Sequence, residues 1–208
     1  MNRRRSASQW SLFLSSLALG FLVRRVGRRT TNNFDQQWAA RLGTSQSAAE
    51  RVSYLARPTS VLVETLLLAS LPVFSGRDAA ALVVAWVTAG SAGHALKLYI
   101  PRVRPGKERL SPEGDQSFPS THTAHATALA FTLAEIVREP GTRYWPYVAA
   151  GAAGVCVGVA RVRAGAHWPT DVLAGALLGF ASAQAAFLTV QALSPSTYPI
   201  GVLRHGPR

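Results

Sequence analysis

Six long apolar stretches, with almost no Lys or Arg inside them, alternate with short polar segments along the chain. They cover residues 10–23, 59–74, 79–95, 121–137, 147–162 and 172–193. A helix rises about 1.5 Å per residue, so about 20 apolar residues cross a hydrocarbon layer of about 30 Å. The last stretch has this length, and stretches two to five reach it with neighbouring polar or interfacial residues. The pattern predicts an all-α integral membrane helical bundle of about six transmembrane helices.

The first stretch is the least certain span, because it is short and lies between two arginine clusters. It either crosses the bilayer or lies in the interface, and the absence of a small-residue cleavage site before Arg24 argues against a removed signal peptide. After it, Asn33 is expected to cap a short helix in which Phe34, Trp38 and Leu42 share one face, with Asp35 among the polar residues pointing elsewhere. This pattern predicts an amphipathic helix in the membrane interface.

No repeat or long linker divides the chain, so we expect one membrane-embedded domain over residues 1–208. It has an N-terminal helix plus interfacial segment (1–58), a catalytic helical core (59–193) and a C-terminal tail (194–208). Two Gly-x-x-x-Gly pairs, Gly154 with Gly158 and Gly175 with Gly179, predict that the last two helices pack closely together. Cys156 lies in an apolar run and is expected in the core.

Lys and Arg number 22 against 10 Asp and Glu, for a formal charge of +12. In a soluble protein such a charge suggests nucleic acid, but here the basic residues cluster in the segments that flank apolar runs, which is typical of membrane proteins. The distribution of Lys and Arg between the two sides of the membrane favours a cytoplasmic position for the polar motifs described next. Arg102, Lys107 and Arg109 are interpreted as interfacial anchors.

Three connecting segments hold most of the polar residues that packing does not explain. They contain Lys-x6-Arg-Pro from Lys97, Pro-Ser-x-His from residue 119, and Arg-x5-His-x3-Asp from Arg161. The connections between stretches three and four and between five and six must lie on one side of the membrane. We therefore expect all three segments to meet on one face.

Their composition favours a phosphate site. Arg104 and Arg161 suit bidentate contacts to phosphate oxygens and Lys97 adds a point charge. Ser120 and Thr121 are expected at a helix start, where free N–H groups and the helix dipole favour an anion. Pro169 suits the first turn of the last helix, which puts His167 just before that helix and Asp171 inside it, within reach of one His167 nitrogen.

These three segments together resemble the signatures of the type-2 phosphatidic acid phosphatase superfamily, over about a third of the chain. The resemblance implies an integral-membrane lipid phosphatase without cofactor or metal, in the bacterial cytoplasmic membrane. It implies that His167 is a nucleophile forming a phosphohistidine, that Asp171 orients it and that His122 is the general acid. The phosphate ligands are then Lys97, Arg104, Ser120, Thr121 and Arg161. Many bacterial enzymes of this kind work on the outer face, so the side of the site stays open.

Two positions depart from the family pattern, and they bear on substrate range more than on reaction type. Thr121 stands where the family usually has Gly, and Ala160 where it usually has Ser. The substrate is a phospholipid monoester or a polyprenyl phosphate or diphosphate, and the sequence does not choose. Oligomeric state is likewise open.

Three alternatives remain. A vanadate-dependent haloperoxidase or a soluble-type acid phosphatase uses a similar pocket, and a lipid transporter or scaffold would bind without catalysis. His125, one turn from His122, could join it with His167 and Asp171 in a metal site. Three nearby cations argue against the metal site, because they repel a divalent ion and attract phosphate.

Overall fold

The computed structural model describes residues 3–27, 32–43, 46–105, 116–138 and 144–193, and all regular structure within them is helical. The helices are α1 (Arg3–Gly27), α2 (Asn33–Leu42), α3 (Gln46–Leu55), α4 (Pro58–Ala69), α5 (Gly76–Tyr99), α6 (Thr121–Val137), α7 (Trp145–Arg163) and α8 (Pro169–Leu193). The predicted all-α membrane bundle is confirmed. The predicted C-terminal tail, 194–208, lies outside the described residues.

Among the residues that the structure describes, four helices are long and apolar enough to cross a bilayer: Ser6–Gly27 within α1, then α5, α7 and α8. The first apolar stretch therefore belongs to a helix longer than its apolar part, with enough length to span. The 17-residue α6 packs against α5, α7 and α8. Six transmembrane helices remain a consistent description of the bundle.

The second stretch does not form one long helix. α4 ends at Ala69 after 12 residues, about 18 Å at 1.5 Å per residue, and turns follow through Phe74. Pro72 explains the ending, because proline lacks an N–H donor and disfavours helical backbone in the residue before it. α4 begins at Pro58, directly after Arg57, so its start is held at one end of the bundle.

α8 lies at the centre of the bundle and contacts α1, α5, α6 and α7. Its two glycines allow the backbone of α6 to come close, since a Cβ on Gly175 or Gly179 would lie 2.4 Å from Ser120 O or 2.3 Å from Ala124 O. The expected glycine contact between α7 and α8 is therefore only partly right. Gly158 of α7 does face Val172 of α8, but the α8 glycines pack against the backbone at α6.

The short helix α2 forms as predicted but is capped by a different residue. Its cap is Asn32, whose side chain accepts from the Asp35 amide at 2.8 Å, and not Asn33. Phe34 and Trp38 are exposed, as an interfacial helix requires, whereas Asp35 is fully buried against the bundle. Asp35 points away from Phe34 and Trp38, as predicted, and it does so into the bundle, where it has a buried cationic partner described below.

Cys156 is exposed on α7, so its predicted core position was wrong. The adjacent Val155 is also exposed, and both lie on the outward face of α7. A small apolar side chain suits a lipid-facing surface as well as a core, and hydropathy alone does not separate the two.

Candidate active site

The three polar segments meet at one end of the bundle, as predicted. Backbone hydrogen bonds join them: Ser117 N donates to Arg102 O at 2.8 Å, and Ser120 N donates to Asp171 O at 3.0 Å. The segment after α5, the segment before α6 and the turn between α7 and α8 are thus connected through their main chains. Side chains carried by all three are held in fixed relative positions.

His167 lies in the tight turn between α7 and α8. Gly165, at φ 64°, ends α7 in the left-handed region that favours glycine, and Pro169 starts α8 two residues after the histidine. The His167 side chain is buried, with Nδ1 2.7 Å from Ser117 O and 3.7 Å from Asp171 Oδ2. Both neighbours are acceptors, so Nδ1 carries the proton and Nε2 keeps the lone pair.

Asp171 is fully buried in the first turn of α8 and accepts from the Trp168 amide at 2.8 Å. It also pairs with the guanidinium of Arg102. Two acceptors therefore lie beside His167 Nδ1: Ser117 O at hydrogen-bond distance and Asp171 Oδ2 at ion-pair distance. That Asp171 orients the ring stays a prediction. Sequence reasoning missed Ser117, because a backbone carbonyl leaves no signal in residue type.

Arg102 is buried, so its interpretation as an interfacial anchor was wrong. Its guanidinium pairs with Asp35 of α2 and with Asp171, and donates to Thr170 Oγ1 at 2.7 Å. Thr170 in turn donates to Asp35 from its amide at 2.9 Å and from its hydroxyl at 2.8 Å. We call Asp35, Arg102, Thr170 and Asp171 the buried ion cluster. A cation this buried requires such partners to offset its lost hydration.

Lys97, Arg104 and Arg161, which we call the pocket cations, are only partly buried. Lys97 Nζ donates to Gln116 O at 2.6 Å, and Arg104 donates to Ala166 O at 2.9 Å. Arg161 lies in the last turn of α7. The structure brings all three to the end of the bundle that carries His167. Lys107 and Arg109, also interpreted as anchors, lie outside the described residues.

His122 is half-buried in the first turn of α6 and lies within electrostatic range of the same groups. The cations acting on it are Arg161, Arg104 and Arg57, and the His167 ring also lies within range. The structure thus brings together the two predicted histidines and two pocket cations. Arg57, just before α4, was not predicted, because its isolated position in a membrane-protein loop is also typical of an interfacial anchor.

Ser120 and Thr121 begin α6 as predicted. Ser120 is the N-cap, fully buried, and its hydroxyl accepts from Thr123 Oγ1 at 3.0 Å. Thr121 is partly buried, with its methyl group close to Gly93 of α5. The start of α6 therefore presents free N–H groups beside the pocket cations. Direct phosphate contact by either side chain stays a prediction.

Burial lowers the pKa of His167 to about 4, the positive charges of Arg161 and Arg104 add to this effect, and Asp171 acts in the opposite direction. His167 is therefore neutral at physiological pH. A neutral imidazole with a protonated Nδ1 has its Nε2 lone pair available as a nucleophile.

His125 does not join the other histidines in a ligand set. Its Nδ1 donates to Thr121 O at 2.8 Å, and its ring packs against Trp86 of α5 with ring centroids 5.2 Å apart. Among the residues with described positions, no three His, Cys, Asp or Glu side chains are grouped as a metal would need. The geometry required by the metal alternative is not assembled there.

Comparison with known proteins gives a consistent picture. The family model described as "PAP2 superfamily" matches residues 78–195, more than half of the chain. Phosphatidylglycerophosphatase B of Bacillus subtilis is 37% identical over 93 residues, which are 40% of this chain and 44% of that protein. The match thus spans less than half of that relative. Undecaprenyl-diphosphatase of Sulfolobus acidocaldarius is 28% identical over 201 residues, 92% of this chain and 93% of that protein.

The fold also matches a solved structure, the transmembrane PAP2-type phosphatidylglycerolphosphate phosphatase of Bacillus subtilis. The TM-score is 0.63 at 21% identity, with 88% of this chain and 96% of that chain covered. At this identity the likeness shows a shared fold. Together with the four candidate spans, it identifies an integral membrane protein.

Proposed function

Because the chain belongs to the PAP2 superfamily, we propose that it is a membrane phosphatase that removes phosphate from a lipid through a phosphohistidine intermediate. The observation that carries this proposal is the 2.7 Å contact between His167 Nδ1 and Ser117 O, because a carbonyl oxygen can only accept. This bond leaves Nε2 as the nucleophilic atom at the end of the bundle that carries the pocket cations. No cofactor is required by this chemistry.

In the first step His167 Nε2 attacks phosphorus, and the bond from phosphorus to the leaving oxygen breaks. Arg104, Arg161 and Lys97 offset the charge on the non-bridging oxygens. Once the anionic phosphate is bound among these cations, its charge favours a protonated His122, which donates this proton to the leaving oxygen that otherwise departs poorly as an alkoxide. General acid catalysis of this kind is typically worth about 10² to 10⁴ in rate.

In the second step water attacks the phosphohistidine, with His122 accepting its proton. The bond between phosphorus and Nε2 breaks, inorganic phosphate leaves, and both histidines return to their starting protonation states. Asp171 and Ser117 O keep the His167 ring in place throughout, so little reorganisation is needed between the two attacks. The Asp171 carboxylate is itself fixed by Arg102 and the Trp168 amide.

The proposed substrate is a lipid phosphomonoester or diphosphate. Two relatives are named for phosphatidylglycerophosphate and undecaprenyl diphosphate, and both molecules join a phosphate group to a long apolar tail. Exposed apolar side chains of α4, such as Leu66 and Leu67, lie along a helix that starts near the site. The lipid tail would stay in the bilayer of the bacterial cytoplasmic membrane while its phosphate enters the pocket.

The test is a panel of lipid phosphates assayed in detergent for inorganic phosphate, using full-length protein. We expect release from at least one lipid, retained activity with excess chelator, and inhibition by vanadate. Phosphate labelling followed by acid and base treatment should give the acid-labile, base-stable adduct of a phosphohistidine. No release from any lipid would favour the transporter or scaffold alternative, and halide oxidation with vanadate and peroxide would favour the haloperoxidase.

A further inference from the structure

A cleft of about 480 Å³ opens beside the candidate active site, and of its lining residues the mechanism above uses only Arg161. It lies between the end of α3, the start of α4 and the end of α7, and is lined by Arg51, Ser53, Tyr54, Arg57, Arg161 and Ala164. Its volume is within the usual range of small-molecule pockets, about 300 to 1,000 Å³. Three of the six lining residues are arginines and none is acidic.

Arg57 is held in position at this cleft. Its guanidinium carbon lies over the Tyr54 ring, 4.6 Å from the ring centroid. A cation–π contact of this kind restricts the guanidinium without using its N–H donors. A planar, oriented guanidinium is suited to bidentate contact with phosphate oxygens.

Ser53 provides an independent sign of a missing ligand. Its side chain is 6% exposed, and its hydroxyl oxygen is buried without a hydrogen-bond partner among the residues that the structure describes. Burying a hydroxyl without a partner costs free energy, and such groups are rare in folded proteins. A hydroxyl that lines a cleft of arginines can recover this cost by donating to an anion.

The cleft shares Arg161 with the candidate active site, and its Arg57 also acts on His122. Arg57 is among the main charges acting on His122, whereas the main charges acting on His167 are Asp171, Arg161 and Arg104. In the proposed mechanism His122 protonates the leaving oxygen, so the cleft is next to the leaving group.

We propose that this cleft is a second phosphate subsite, in which Arg51, Arg57 and Ser53 bind the phosphate that adjoins the leaving oxygen of a lipid diphosphate. This inference rests on the proposed function and names its preferred substrate class. His167 Nε2 bonds to the terminal phosphorus, the bond from that phosphorus to the bridging oxygen breaks, and the bridging oxygen takes the proton of His122. After hydrolysis of the phosphohistidine, the products are lipid monophosphate and inorganic phosphate.

The test compares farnesyl diphosphate with farnesyl monophosphate, which share a tail and differ by one phosphate. For Arg57→Gln and Arg51→Gln we expect kcat/KM for the diphosphate to fall about 10- to 100-fold, as for lost charged hydrogen bonds. The loss for the monophosphate should stay below about 3-fold. For Ser53→Ala, which removes a neutral donor, the diphosphate should lose about 2- to 10-fold. Arg163→Gln is the matched control, since Arg163 is exposed two residues from Arg161 and does not line the cleft.

Equal losses for both substrates, no loss in either, or the same selectivity change in Arg163→Gln would overturn the subsite. Inhibition of monophosphate hydrolysis by free inorganic phosphate tests the other source of the anion. If Arg57→Gln relieves that inhibition but leaves diphosphate selectivity intact, the cleft binds released phosphate and the proposal is wrong. Wild-type protein that hydrolyses another lipid of the panel but not farnesyl diphosphate would also overturn the subsite, whereas release from no lipid at all contradicts the proposed function itself. Gel filtration in detergent confirms that each variant is folded.

Discussion

Arg102 and Arg104 are two residues apart on the same segment, and the fold uses them in opposite ways. Arg102 is 1% exposed and pairs with two buried carboxylates, Asp35 and Asp171. Arg104 is only partly buried, donates to Ala166 O, and contributes to the positive field around both His122 and His167. The first joins α2 to α8 through buried ion pairs, and the second lies at the candidate active site, where it is proposed to bind phosphate.

The difference follows from desolvation. A charge removed from water must be matched by opposite charge and hydrogen bonds, so the buried ion cluster contributes mainly to the arrangement of α2 and α8. A partly exposed cation keeps some hydration and remains able to interact with an incoming anion. Residue type alone therefore does not separate structural from functional arginines in this segment, whereas burial does.

The largest expected effect is that of replacing His167, which lies beside Asp171 of the buried ion cluster and within range of Arg104. His167→Ala should reduce phosphate release by about 10⁴-fold or more, because it removes the proposed nucleophile. Elution volume on gel filtration and thermal unfolding in detergent should show that the protein still folds. His94→Ala, an exposed histidine of α5, is the control and should retain wild-type activity. Wild-type turnover by purified His167→Ala would contradict the phosphohistidine mechanism.

The next effect is a loss of stability on replacing Arg102, the buried arginine of the pair. Arg102→Ala should lower the free energy of unfolding by about 3–5 kcal/mol, because it leaves Asp35 and Asp171 buried without their cation. Chemical or thermal unfolding in detergent measures the change. A double-mutant cycle with Asp35→Asn should show strong coupling, since the two side chains form one pair. A loss of activity in Arg102→Ala without any loss of stability would break the distinction.

For Arg104 we expect the reverse of Arg102: a large loss of activity with little loss of stability. Arg104→Gln should lower kcat/KM about 100-fold or more, as loss of a donor to developing charge does in other enzymes. Its stability should change by less than about 1 kcal/mol, because partly exposed charges contribute little to folding. Both quantities are measured on the same preparation, so the two arginines can be placed on one plot of activity against stability. A large stability loss in Arg104→Gln would remove the contrast.

The sequence was sufficient for the parts of the molecule that depend on local pattern and spacing. Apolar stretches gave the membrane helices, and the crossing argument put three distant polar segments at one end of the bundle. Pro169 gave the start of α8 and hence the positions of His167 and Asp171. These features follow from neighbours along the chain, which a single sequence contains.

Features that depend on partners distant in sequence were not predictable. Asp35 and Arg102 are 67 residues apart, and nothing in either local pattern indicates that they meet in the interior. The glycines of α8 were recognised as sites of close packing, but their partner α6 depends on how the helices are arranged. The carbonyl of Ser117, which fixes the His167 tautomer, carries no signature in residue type.

The smallest expected effect is a shift in pH dependence. His167 reacts as the neutral imidazole, and its pKa of about 4 keeps it neutral down to about pH 5. The part of kcat/KM that depends on His167 should therefore fall only below that pH, tenfold per unit below the pKa.

Because the positive charge of Arg104 lowers this pKa, Arg104→Gln should move the acidic limb to higher pH. Arg163→Gln serves as the control for a general change in charge. Substrate ionisation is the same for every variant, so a difference between their pH profiles of kcat/KM reports on the two histidines near Arg104, His167 and His122. An unmoved limb in Arg104→Gln would mean that Arg104 acts on the substrate alone and not on the nucleophile.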